Sequence, residues 1–199
     1  VRRGEWQWFE PLDLLGVDIN GSTLGIVGFG RIGSAVAQRA IGSGMNVIYV
    51  SRSQPVDDLG CERVDDLNEL LERSDFVSIH CPLTPETNGL IGADQLKRMK
   101  PEASLINTAR GPIVDTDALT AALQSGEIAY AALDVTDPEP IPADHPLVSL
   151  ENVTLVPHIA SATVGTRRKM SEMTVENILA TIDGELPPNC VNADMIDWS

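Results

Sequence analysis

The stretch Thr23–Ala40, TLGIVGFGRIGSAVAQRA, decides the fold. At its centre Gly28-Phe29-Gly30-Arg31-Ile32-Gly33 is a GxGxxG, a pattern that takes its meaning from its flanks. On the amino side Leu24, Gly25, Ile26 and Val27 form a short apolar run suited to a strand buried on both faces. On the carboxyl side Ile32, Ala35, Val36 and Ala40 recur at helical spacing, with small residues that allow close packing on a sheet. In a strand, turn and helix of this kind Gly28 permits the tight turn, and Gly30 lets backbone amides approach a pyrophosphate. Gly33 lets helix and strand pack closely, and the N–H groups at the helix start face the anion. The competing reading is a purely structural turn.

Outward from this stretch the chain alternates strands and helices. Val47–Val50 reads as a second strand, entered through the turn residues Gly42, Ser43 and Gly44. Asp65 caps a helix carrying Leu67, Leu70 and Leu71, Phe76–Ile79 is a third strand, and Ala93–Met99 is a short helix. Ser104–Asn107 is a fourth strand, and the next helix, capped by Asp115 or Thr116, ends at Gly126. Ile128–Val135 and Val153–Val156 are the fifth and sixth strands. A long closing helix from Ala162 or Thr163 to Gly184 carries Val175, Ile178, Leu179 and Ile182 at i, i+3, i+4 and i+7. This alternation predicts an α/β fold, a Rossmann-type, doubly wound, mostly parallel sheet. The dinucleotide-binding domain is expected over residues 21–184, after an arm at 1–20 in which Trp6, Trp8 and Phe9 crowd together, and before a tail at 185–199.

Bulk properties narrow the function. The net charge of −15, from 29 acidic against 14 basic residues, argues against nucleic-acid binding through phosphate contacts. No run approaches the roughly 18 to 20 apolar residues of a membrane span. Cys61, Cys81 and Cys190 are odd in number, far apart and without metal-type spacing, so no metal site is expected and a reducing cytoplasm fits best.

Ligands of open parallel sheets bind beyond the carboxyl ends of the strands. The fourth strand is followed by Thr108, Ala109, Arg110 and Gly111, the Ile128 to Leu133 part of the fifth by Asp134 and then Glu139, and the sixth by Pro157, His158 and Ser161. Each has an ordinary explanation: a turn arginine, a loop acid between prolines, a structural histidine. Their conjunction on one edge favours chemistry. His80, at a strand end, and His145, in the proline-rich loop Thr136–Leu150, are weaker candidates.

Five motifs in order, GFGRIG, HCPLTPETNGLIG, INTARGPIVD, AALDVTDPEP and VPHIASAT, resemble the cofactor-binding domain of the D-2-hydroxyacid dehydrogenases. Arg2-Arg3-Gly4-Glu5-Trp6 further resembles the RxGxW of the glyoxylate/hydroxypyruvate reductases within that family. The resemblance implies NAD(P)H-dependent reduction of a small 2-keto acid. It implies that Arg110 holds the substrate carboxylate and keto oxygen, that His158 is the general acid, and that Glu139 orients the imidazole. Asp134 would bind the nicotinamide carboxamide. The cofactor contacts it implies run over Gly28, Phe29, Gly30, Arg31, Ile32 and Gly33, then Ser51, Arg52 and Ser53. They continue through Cys81, Pro82, Thr87, Thr108, Ala109 and Arg110 to Asp134, His158 and Ala160. A homodimer formed through the cofactor domain is a further implication.

NAD sites commonly place an acid about 20 residues beyond the glycine motif. Here that position reads Ser51-Arg52-Ser53, without a carboxylate, so NADP(H) is expected to be preferred over NAD(H). The family carries a substrate domain on the order of 100 residues ahead of the cofactor domain. Almost none of it is present here, so impaired turnover and a loosely held segment from Pro187 to Ser199 are expected. A cofactor-sensing interaction protein, similar to the corepressors that resemble this family, and a noncatalytic dimerising remnant are the alternative functions.

Overall fold

The computed structural model describes residues 2–6, 8, 10–11 and 15–196. It divides into two compact units, Val1–Leu155 and Val156–Ser199.

The first unit is built on seven strands: β1 (Thr23–Val27), β2 (Asn46–Val50), β3 (Glu62–Arg63), β4 (Phe76–Ile79), β5 (Ser104–Asn107), β6 (Tyr130–Leu133) and β7 (Val153–Leu155). They lie in the order β3-β2-β1-β4-β5-β6-β7, and every pair is parallel. The Rossmann-type sheet read from the sequence is therefore present, with one strand more than the periodicity shows. Strand β3 has only two residues, both charged and exposed, so it carries no apolar signal.

Among the described residues of this unit the α-helices are α1 (Arg31–Gly42), α2 (Leu67–Arg73), α3 (Ala93–Leu96) and α4 (Thr116–Ser125). Alternation along β1 sorts the core into two clusters. Leu24 and Ile26 pack with Ala37 and Ala40 of α1 and with Val47 and Tyr49 of β2. Val27 faces the other cluster, which contains Leu70 and Leu71 of α2, Leu96 of α3, and Leu119, Ala122 and Leu123 of α4.

Several local expectations shift. The buried face of α1 is Gly33, Ala37 and Ala40, whereas Ile32 is 67% exposed: at the first turn the glycine, lacking a Cβ, is what the sheet approaches. Asp66 rather than Asp65 caps α2, its carboxylate accepting from the Asn68 amide at 3.1 Å. Asp115 caps α4 by accepting from the Ala118 amide at 2.9 Å, and Gly126 ends it in the left-handed conformation. Trp6 and Trp8 are exposed, and Phe9 lies outside the described residues.

In the second unit α5 (Val164–Ile182) is capped by Thr163, whose hydroxyl accepts from the Thr166 amide at 3.1 Å. The segment after α5 is tied back to it, because the Asn189 amide donates to Asn177 Oδ1 at 3.1 Å. Residues 197–199 lie outside the described residues. Among the described residues no helix is long and apolar enough to cross a membrane.

Candidate functional site

Strand order reverses between β1 and β4, and the glycine loop leaves the sheet there. The loops continue the sheet's pairing, with the Gly28 amide donating to the Val50 carbonyl at 2.9 Å and the His80 amide to the Val27 carbonyl at 2.8 Å. Gly28 has φ +97°, and a Cβ on it would lie 2.6 Å from the Cys81 nitrogen. A side chain on Gly33 would overlap the Gly28 carbonyl oxygen. A Cβ on Gly30, in contrast, would meet nothing within 4 Å, so the loop opens on free space where α1 begins. The first amides of a helix lack intrahelical acceptors, and Gly30 supplies no side-chain cap. This cradle fits a pyrophosphate. Phe29 is held by stacking on Tyr49, with ring centroids 4.1 Å apart.

The loop forms one wall of a cleft of about 490 Å³. Gly28, Phe29 and Gly30 line it together with Ser51, Arg52 and Ser53 from the β2 exit and Cys81, Pro82 and Thr87 from the β4 exit. Nine of the residues assigned to cofactor from the sequence thus meet in one place. Thr87 has a structural task as well: its hydroxyl accepts from the Thr84 amide and donates to the Pro82 carbonyl, both at 2.7 Å. Arg31 faces a neighbouring hollow that also includes Phe29, Gly30 and Ser53.

A second cleft of about 460 Å³ shares His80, Cys81 and Pro82 with the first and adds Ile32, Leu83, Thr108, Ala109 and Arg110. Asn107, buried at the end of β5, shapes this side. Its Oδ1 accepts from the Ala109 amide at 3.0 Å, and its Nδ2 donates to the Arg110 carbonyl at 2.9 Å. The exposed Arg110 guanidinium donates to the Ala109 carbonyl at 2.6 Å. Asp134 is buried beyond the end of β6, its amide donating to the Asn107 carbonyl at 2.9 Å. Glu139 is exposed on the loop that follows. Neither acid lines these two clefts.

His158 and Ala160 belong to the second unit. His158 has φ +51°, in the left-handed region, which costs a non-glycine residue of order 1 kcal/mol. Among the described residues no group of three histidines, cysteines or acids could hold a metal ion.

Arg63 and Glu86, which sequence reasoning passed over, also shape the first cleft, beside His80 and Cys81, which it named. Arg63 of β3 donates to the Ser51 carbonyl at 3.0 Å and to Gln54 Oε1 at 2.7 Å, bracing the turn that carries Arg52. His80 pairs its Nε2 with the Ser78 hydroxyl at 2.8 Å, and burial pushes its pKa down, so the ring is neutral near pH 7. Burial pushes the Cys81 thiol up, which makes it a packing group rather than a nucleophile. Glu86 lines the same cleft. Alternation does not mark Arg63 or Glu86, because each takes its place from a neighbouring strand or turn.

Comparison with known proteins identifies the family. The family model described as "D-isomer specific 2-hydroxyacid dehydrogenase, NAD binding domain" matches residues 1–160. A glyoxylate reductase of Korarchaeum cryptofilum is 53% identical over 201 residues, covering 98% of this chain and 60% of that protein. A glyoxylate/hydroxypyruvate reductase B of Shigella boydii is 47% identical, covering 99% of this chain and 62% of that protein. Among solved structures, a protein of Thermus thermophilus superposes with a TM-score of 0.91 at 50% identity, covering 96% of this chain and 60% of that one. The chain therefore spans about three fifths of the length of these relatives.

Proposed function

Since this chain belongs to the D-isomer specific 2-hydroxyacid dehydrogenases through their NAD-binding domain, we propose that it serves the reduction of a small 2-keto acid such as glyoxylate or hydroxypyruvate. The observation that carries this reading is the pair of adjoining clefts, one bounded by the glycine loop and the other by Arg110, with His80, Cys81 and Pro82 common to both. The residues of the first cleft would hold a nicotinamide cofactor, which would supply a hydride there. Arg110 pairs with the substrate carboxylate and keto oxygen, where a planar guanidinium offers two parallel donors. By the likeness to the family, His158 is the acid that would give its proton to the keto oxygen as the alcohol forms, with Glu139 assigned to orient the imidazole. The backbone strain at His158 supports a functional role.

The cofactor preference proposed is NADP(H). The end of β2 offers a guanidinium and two hydroxyls in the cleft and no carboxylate from Ser51-Arg52-Ser53, so a 2′-phosphate gains a charge partner there. A homodimer and a cytoplasmic setting complete the proposal, on the likeness to the family alone.

Two sets of measurements test it. In keto-acid-dependent NADPH oxidation, His158→Asn is expected to lose at least about a hundredfold in rate while NADPH binding is retained; an unimpaired rate would refute the acid role. Titration of Arg52→Ala is expected to weaken NADPH selectively, and equal weakening of NADPH and NADH would refute the phosphate contact.

A further inference from the structure

Arg52 is not the only charge in the first cleft. Glu86, in the turn after β4, lines it as well, and because β2 and β4 flank β1 the two charges border the glycine loop from either side. The Glu86 carboxyl is held below its ordinary range first by the Thr84 hydroxyl, then by its own backbone amide, and also by the Arg52 charge. It is therefore anionic at neutral pH. Arg52 lines the same cleft, and its charge acts on the Cys81 thiol there as well.

Resting on the reading of this cleft as an NADP(H) site, we propose that Glu86 is a specificity-determining counter-charge that limits how strongly the cleft prefers a 2′-phosphate. The mechanism is a competition. Glu86 attracts the guanidinium that a 2′-phosphate needs, and this selective loss adds to a repulsion that it exerts on every phosphate in the cleft. Both side chains are exposed, so the competition is modest and weakens with salt. It leaves NADH usable: Arg52 stays neutralised when no phosphate arrives.

The test is a set of titrations on the purified chain with four ligands, NADPH, NADH, 2′,5′-ADP and 5′-AMP, at low and high salt. Glu86→Gln removes the charge at nearly constant shape. Glu102→Gln, an exposed site just before β5 at the opposite end of the strands, makes the same change in net charge as a control. The expected result is that Glu86→Gln tightens NADPH and 2′,5′-ADP roughly two- to fivefold at low salt. NADH and 5′-AMP tighten less, the gain shrinks at high salt, and Glu102→Gln has no effect. An equal gain or loss for all four ligands would mean contact with the adenosine and would overturn the proposal. So would no change at all, or the same change in Glu102→Gln. Arg52→Ala run in parallel separates the two levels. Selective loss of NADPH in Arg52→Ala with an inert Glu86→Gln rejects the Glu86 inference alone, whereas equal loss of NADPH and NADH rejects the NADP(H) reading beneath it.

Discussion

Gly111 and Thr136 are in close backbone contact: a Cβ built on Gly111 would overlap the Thr136 carbonyl and lie 2.8 Å from the Asp137 nitrogen. The loop that carries Arg110 is thus packed directly on the loop that leads to Glu139. The same junction is tied from α4, where the Thr116 hydroxyl donates to the Asp137 carbonyl at 2.8 Å. Two exits from neighbouring strands are held as one piece, and only a residue without a side chain permits it.

Gly111→Ala is accordingly expected to force the two loops apart. The cost is about 1–3 kcal/mol, or a fall of roughly 3–10 °C in thermal midpoint. Keto-acid reduction should fall with it, while NADPH binding in the first cleft is largely kept. Calorimetry with a parallel cofactor titration checks this, and an unchanged midpoint would show that the contact is not close in solution.

Gly28→Ala should do the reverse. Its positive φ and its approach to Cys81 leave no room for a methyl group, so the glycine loop must move away from the β4 exit. Loss of NADPH binding by at least about tenfold is the expected outcome. Isothermal titration reads it, and wild-type affinity would contradict the assigned geometry.

Arg63 is predicted to be a positioning residue. Arg63→Ala removes both braces of the turn at 51–54. NADPH should weaken several-fold and NADH less, with little change in thermal midpoint. Arg63→Lys should restore only part of this, because one ammonium cannot span two acceptors as a planar fork does. Full rescue by lysine would reduce the role of Arg63 to its charge.

Asp75 gives the fold a pH dependence. Burial pushes its carboxyl up, but hydrogen bonds from Lys100 Nζ and from the Thr23 amide, each 2.7 Å, outweigh this and hold it below the usual range. A carboxyl whose folded value is depressed stabilises the fold above its unfolded pKa of about 3.9 and loses that contribution as pH falls through the folded value. Asp75→Asn should therefore cost on the order of 1 kcal/mol at pH 7. The gap to the wild type should close as pH drops below about 4. Urea denaturation across this range measures it; a gap independent of pH would assign the loss to shape instead of charge.

Much of this is legible in the chain itself. The apolar run before Gly28, the helical spacing after it and the repeat of that pattern predict a Rossmann-type sheet, and the sheet is there. Motif order alone points to the family that the comparison identifies. Boundaries are less legible: the apolar run predicts the fifth strand over Ile128–Val135, whereas the strand spans Tyr130–Leu133, because apolar character continues past the last ladder bond.

What the sequence by itself determined is the class of the fold, the place of the glycine turn and the residue types available at the strand ends. These depend on local rules: alternation, turn chemistry, and helix starts and stops. Only the tertiary structure decided that Ser51, Arg52, Cys81, Pro82 and Glu86 share a cleft with the glycine loop, that Arg63 braces it, and that Gly111 is pressed against Thr136. Those relations join residues brought together by the order of strands in the sheet, an order set by how whole layers pack and not by the neighbours of any one residue in the chain.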